Sequence, residues 1–221
     1  MITLHHLEKS RSQRILWLLE ELGLEYRVIL YERDPKTMAA PESLADQHPL
    51  AKAPILTDGT LTVAESGAII EYLIDQYDSE ARLRPTQGQA LLDYRYWLHF
   101  AEGSLMPLLV MKLVLTKMAN SPMPFFIKPV AKSISAKLQS AFVLPRLLPQ
   151  LAFIEQTLAH QVWFTGASLS GADIQMSFPL MAASARLDLS QYPNIARFIE
   201  QVEASPSFQQ AADKVGGFAT L

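Results

Sequence analysis

Three short stretches of this 221-residue chain carry the side chains best placed to do chemistry. The first is Ser10-Arg11-Ser12, two hydroxyls around a guanidinium, between a strand-like start and a helical run. A hydroxyl there either donates a hydrogen bond to an anion near a helix N-terminus or simply caps the helix. The second is Lys52-Ala53-Pro54, a cation followed by a proline at the head of a short apolar strand. On local rules this is an ordinary trans proline opening a strand. The third is Glu65-Ser66, which places a carboxylate and a hydroxyl where a helix begins. Unpaired backbone N–H groups and the helix dipole favour an anion there, so the pair suits a zwitterionic ligand; an ordinary helix-start signal is the plain alternative. His5 and His6 read as strand residues rather than catalysts.

The elements that must position these groups follow from periodicity. Ile2 to His5 can form a first strand. Ser10 to Leu22 has a helical stripe at Ile15, Leu18, Leu19 and Leu22, and Gly23 ends it as a C′ glycine does. Tyr26 to Tyr31 is a continuous strand-like run, and residues 32–51 are polar loop with room for a short helix. Ile55-Leu56, a turn at Asp58-Gly59, and Leu61 to Val63 form a hairpin. Ala64 to Tyr77 is helical through Ile69, Ile70, Leu73 and Tyr77. The order β-α-β-loop-β-β-α predicts a mixed four-stranded sheet covered by helices. Residues 78–87 are polar, contain Pro85 and read as a linker. Beyond them strand alternation stops. One long helix is expected over Gly88 to Lys117, and a second over Phe125 to His160, kinked or interrupted at Pro145 and Pro149. Ser170-Gly171-Ala172-Asp173 is a capping-box variant opening a helix from about Ala172. Helices over Tyr192 to Glu203 and Ser205 to Ala212 complete an all-helical second half.

Composition narrows the chemistry. The chain is 49% hydrophobic with a formal charge of −3, so net charge makes no case for nucleic acid or an anionic membrane. The apolar run from Leu105 to Leu115 is too short to span a bilayer and contains Pro107 and Lys112. The N-terminus has no basic segment followed by an apolar one, so a cytoplasmic location is expected. There is no cysteine, which excludes zinc–thiolate sites, disulfides and any protein-borne redox thiol. No nucleophile elbow, Walker A loop, dinucleotide fingerprint or zinc-protease motif occurs. Any thiol chemistry therefore requires a thiol that arrives on a substrate.

Ser-Arg-Ser, Ala53-Pro54, Glu65-Ser66 and the capped helix at 170–173, in that order, resemble the glutathione transferases. The likeness is nearest to bacterial and fungal serine-type members, in which Ser-Arg-Ser leads into a Trp-Leu-Leu-Glu-Glu-Leu helix, here Trp17 to Leu22. The resemblance implies a thioredoxin-like N-terminal domain at 1–77, the linker at 78–87, and an all-α helical-bundle domain at 88–221. It implies a cis Ala53–Pro54 bond, with the Ala53 backbone pairing the cysteinyl part of glutathione. Glu65 then takes the γ-glutamyl amino group, Ser66 the α-carboxylate and Lys52 the glycyl carboxylate. Ser10 is the favoured donor to the thiol, Ser12 the alternative, and Arg11 an electrostatic assistant. Leu105, Met106 and Leu109, with Trp97 and Phe100 on the same long helix, are candidates to line an electrophile site; core packing is the competing role for each. The segment Asn120 to Phe126 is expected to cover that site. Glutathione is the implied co-substrate, with no tightly bound cofactor and no metal, and a homodimer is implied with neither nucleic acid nor membrane as partner. A glutathione-dependent peroxidase or disulfide reductase on the same scaffold, and a non-catalytic binder of apolar ligands, are the alternatives.

Overall fold

The computed structural model describes residues 1–218; the last three residues of the expected helical domain, 219–221, lie outside the described residues. The chain runs β1 (Ile2–Leu7), α1 (Ser12–Glu21), β2 (Tyr26–Tyr31), β3 (Ile55–Asp58), β4 (Leu61–Ala64) and α2 (Ser66–Tyr77). Helices follow: α3 (Gly88–Phe100), α4 (Met106–Asn120), α5 (Lys128–Leu138), α6 (Leu144–His160), α7 (Gly171–Ser184), α8 (Pro193–Glu203) and α9 (Pro206–Asp213). The sheet order is β2-β1-β3-β4. β1 pairs β2 in parallel, with Ile2 opposite Tyr26, and the other two pairings are antiparallel. This is the expected four-stranded mixed sheet followed by a helical half.

The β3–β4 hairpin turns through Gly59-Thr60, one residue beyond the expected Asp58-Gly59, because Asp58 still pairs Leu61. Gly59 supplies the positive φ (+60°) that such a tight turn needs. The α1 stripe proves incomplete as a description. Every residue from Ser12 to Leu19 is buried, polar ones included. One face of α1 packs on β1, while α7 and α9 close over the rest. Trp17 donates Nε1–H to Ser207 Oγ at 3.0 Å and meets the Phe208 ring edge-on. No local pattern announces a cover supplied from nearly two hundred residues away.

The two long helices form, the second from Lys128 rather than Phe125 and continuous through Pro145 and Pro149 rather than interrupted there, each with a wider turn inside. Residues Ala101–Leu105 and Gln139–Val143 are π-helical. Each segment lies two residues before a proline, Pro107 and Pro145, and their centres are the i−4 partners, Gly103 and Ala141. A proline cannot donate to that carbonyl and its ring would strike it, so one widened turn relieves the conflict and the helix continues. Pro149 is carried inside α6. The first long helix thus runs from Gly88 to Asn120, three residues past the expected Lys117. By length and composition alone it is long and apolar enough to cross a membrane, but Tyr94, Trp97, Leu98, Leu105 and Leu109 anchor it in the protein core.

α7 forms the centre of the helical half, with twelve of its residues buried. Its N-terminus is held by the capping box: the Asp173 carboxylate accepts from Ser170 N–H (2.8 Å), Ser170 Oγ–H (2.6 Å) and Phe164 N–H (2.7 Å). Gly171 packs so tightly on α2 that an added Cβ would come within 2.6 Å of Ile74 and 2.8 Å of Ile70. This contact, with Gly171 N–H on the Leu83 carbonyl (2.8 Å), joins the helical half to the sheet half.

Candidate active site

A polar cavity of about 330 Å³ opens where the sheet half meets the middle of the long helix, at its π segment. Its walls are Arg11, His48, Leu50, Lys52, Ala53, Pro54, Ala64, Glu65 and Glu102. Lys52 to Pro54 precede β3 and stand outside the ladder, and the Ala53–Pro54 bond is cis. Glu65 occupies the N-cap position of α2 with φ +71° and ψ 123°, a conformation that side-chain-bearing residues rarely adopt. Its side chain makes no capping hydrogen bond. Glu65 instead lines both the cavity and a second cleft between α2 and α3, whose walls include Ser66, Gly67, Glu71, His99 and Gln175. Ser66, expected with Glu65 in the first helical turn, is the first helical residue.

Behind this wall lies a charge network that single-segment reading missed. Glu102 projects from the π segment and receives Arg11 Nε–H at 2.9 Å on both carboxylate oxygens. It also accepts from Arg14 at 2.5 Å. Arg14 is fully buried; it donates to Ser66 Oγ at 2.5 Å and to the Gln175 carbonyl at 2.7 Å. Burial lowers the Arg14 guanidinium to about 10, which leaves it charged at neutral pH. Burial works to raise the Glu102 carboxyl, but the cations Arg14 and Arg11 outweigh it, and the net shift is downward. The network is therefore ionised, two cations around one anion. Because Arg14 occupies a lone pair of Ser66 Oγ, that hydroxyl has its proton free for an outside acceptor. The available sequence signal was modest: Glu102 is a lone carboxylate in an otherwise apolar helical stretch.

Ser10 and Ser12 lie at the N-terminus of α1 but not on the cavity wall. Ser10 Oγ donates to the Leu7 carbonyl (2.7 Å) and lies 2.7 Å from Ser12 Oγ. Ser12 is fully buried, 2.9 Å from His6 Nδ1 and 3.2 Å from the same Leu7 carbonyl. The residue between them, Arg11, is the one that reaches the cavity. Arg11 also lines a smaller apolar pocket of about 140 Å³ with Lys9, Met106, Leu109, Val110, Leu113, Phe178, Ala182 and Arg186. Of the expected electrophile-site residues, Met106 and Leu109 stand on that wall. Leu105, Trp97 and Phe100 are buried in the core and line neither cavity, which leaves them the competing packing role; Met106 and Leu109 are largely buried as well but also border the pocket. The segment 120–126 lines neither cavity; Phe125 and Phe126 point to solvent.

Burial pushes the His6 imidazole down to about 4, so it is neutral at pH 7. A histidine whose folded pKa is depressed stabilises the fold above its unfolded pKa of about 6.5 and loses that contribution as pH falls toward 4. The expected loss is on the order of 3 kcal/mol. Buried Asp173, raised to about 6, works in the opposite direction between its ordinary value and 6. Comparing wild type with His6→Asn therefore isolates the histidine. In urea unfolding at pH 7.5 and pH 4.5, the wild type should lose more stability than the variant; parallel losses would show that His6 is not buried neutral.

Comparisons with known proteins agree with this architecture. Residues 1–75 match the family model "Glutathione S-transferase, N-terminal domain", and residues 105–206 match "Glutathione S-transferase, C-terminal domain". The chain is 36% identical to glutathione S-transferase 3 of Schizosaccharomyces pombe, over 97% of this chain and 88% of that one. It is 33% identical to glutathione S-transferase 1 of Saccharomyces cerevisiae, over 97% and 95%. A crystal structure of a glutathione S-transferase from Actinobacillus pleuropneumoniae superposes with a TM-score of 0.80 at 36% identity, covering 98% of this chain and 94% of that chain.

Proposed function

This chain belongs to the glutathione S-transferase family, and from that premise we propose that it binds glutathione in the polar cavity, activates the thiol, and conjugates the sulfur to a small apolar electrophile in the adjoining pocket. The observation that carries this reading is that Arg11 belongs to both cavities. The polar ligand and the apolar one then meet at the N-terminus of α1, where a developing negative charge is favoured.

The roles follow the chemistry of the walls. Glu65 takes the α-ammonium of the γ-glutamyl group. Ser66 offers its hydroxyl proton and its helix-start N–H to the α-carboxylate, with the buried Arg14 charge behind it. The Ala53 backbone pairs the cysteinyl residue, and Lys52 takes the glycyl carboxylate. His48 and Glu102 complete the polar wall. Residues 1–77 thus hold most of the glutathione site, 78–87 the linker and 88 onward the apolar pocket, with Glu102 crossing the division. A cytoplasmic homodimer, with the α2 side of one subunit facing the long helices of the other, belongs to the same proposal.

The thiol of glutathione resembles a free cysteine with a pKa of about 8.5, and a lowering of about two units takes roughly 2.7 kcal/mol of preferential thiolate stabilisation. Ser10 supplies part of it by turning its hydroxyl from the Leu7 carbonyl toward sulfur, while Ser12, 3.2 Å from that carbonyl, takes its place. The thiol proton leaves to solvent. The thiolate then forms the carbon–sulfur bond as the leaving group departs with its electron pair.

Glutathione titration calorimetry with thiolate absorbance followed across pH tests the reading. Binding with a lowered thiol pKa supports it. Binding with an unshifted pKa favours the non-catalytic carrier, and absence of binding overturns both. Turnover of a halogenated aromatic rather than a hydroperoxide separates conjugation from reductase chemistry. Ser10→Ala is expected to lower turnover by on the order of 10²-fold with glutathione affinity held within a few fold. The same result from Ser12→Ala instead would move the donor role two residues along.

A further inference from the structure

We propose that the α4–α5 hairpin docks this protein on an anionic lipid surface. The formal charge of −3 conceals a strong segregation. Between Glu102 and Glu155 the sequence holds Lys112, Lys117, Lys128, Lys132, Lys137 and Arg146 and no Asp or Glu. The remainder, with 13 cations against 22 carboxylates, carries −9. The small net charge said nothing about this asymmetry.

The same segment exposes apolar side chains that the fold does not use. Val110, Val114 and Met118 form an i, i+4, i+8 stripe on the outside of α4. Val130, Ile134 and Leu138 repeat that spacing on α5, and Phe142 extends it. The only buried residue of α5 is Ser135, whose hydroxyl donates to the Leu115 carbonyl at 2.9 Å. α5 is thus attached by a narrow inner edge and shows solvent most of its surface. At the tip, Phe125 is 87% exposed and Phe126 66%. The most apolar eighteen-residue window of the Gly88–Asn120 helix is only 39% buried.

Exposed aromatics at a tip, apolar stripes and cations without carboxylates are what an interfacial element needs. The apolar groups enter the headgroup boundary while the lysines meet anionic lipid. A spanning arrangement is ruled out by the buried inner face of the long helix; the element lies on the surface rather than through it. Val110 belongs both to the exposed stripe and to the apolar pocket beside Arg11. A docked hairpin would therefore bring that pocket to the layer in which apolar electrophiles partition.

The test is flotation of the full chain with vesicles of phosphatidylcholine alone and of phosphatidylcholine with about 30% phosphatidylserine, the anionic lipid whose surface potential the lysines would meet. Three proteins are compared: wild type, Phe125→Ser/Phe126→Ser, and Lys128→Glu/Lys132→Glu/Lys137→Glu. Wild type should float with the serine-lipid vesicles only, and added salt should release it. Charge reversal should lower partitioning by on the order of 100-fold, and the Phe pair should abolish flotation while glutathione affinity stays unchanged. Failure to float, or flotation equal on both vesicles and indifferent to charge reversal, overturns the proposal. So does loss of the proposed homodimer, or of any larger assembly, in the Phe variant by light scattering, which would assign the face to a second copy of the chain.

Discussion

Arg14→Met is expected to lower the unfolding free energy by about 3–5 kcal/mol, the usual consequence of removing one partner from a buried ion pair. Methionine can fill much of the space, so the loss is electrostatic rather than a cavity. What remains behind is Glu102 with Arg11 alone, and a Ser66 hydroxyl and a Gln175 carbonyl without their donor. Each abandoned buried acceptor costs roughly 1–3 kcal/mol. Attraction between the charges does not by itself stabilise the fold, since Arg14 was taken wholly out of water to meet Glu102, and the carboxylate partly so. The double variant Arg14→Met/Glu102→Met should accordingly regain a good part of the loss. Urea unfolding of wild type, both single variants and the double variant decides the matter. A change under about 1 kcal/mol for Arg14→Met would mean that water reaches the network and that the guanidinium is not buried as described.

What could be read from the sequence was what neighbours in the chain decide. Asp58-Gly59 between apolar runs gave the hairpin, Gly23 the end of α1, and Ser170 with Asp173 the start of α7; in each case the causal groups lie within a few residues. The cis Ala53–Pro54 bond was legible only through family resemblance, because local energetics favour trans. What stayed hidden depends on distant elements. The all-round burial of α1 waits on α9. The service of Glu102 to the cavity waits on a π turn that lets the helix pass Pro107. The division of labour within Ser10-Arg11-Ser12 is the same kind of case. Spacing placed all three at the N-terminus of α1, but the carbonyl of Leu7 and the ring of His6 draw both hydroxyls inward and leave Arg11 on the wall.

Glu65→Ala is expected to weaken glutathione binding by on the order of 10²-fold or more, the cost of leaving a desolvated ammonium without its carboxylate, while moving stability by less than about 0.5 kcal/mol. The separation of the two effects is what gives the variant its force. If Glu65 served only as a helix-start residue, its side chain would cap α2, and its loss would cost stability; but it makes no capping bond and lines the cavity. It also holds φ at +71°, where any side chain beyond hydrogen is strained. Glu65→Gly should therefore gain stability, by roughly 0.5–1 kcal/mol set against the greater freedom of glycine in the unfolded chain, and should lose glutathione as thoroughly as alanine does. Glu65→Gln keeps a hydrogen-bond acceptor without the charge and should fall between. Calorimetric titration of the three variants, paired with their unfolding curves, reads both quantities. Parallel losses of affinity and stability would assign Glu65 to the helix, and unchanged affinity would move the γ-glutamyl site away from this wall altogether. A gain in stability with a loss of binding would show that this position keeps a strained backbone for the sake of the carboxylate it aims.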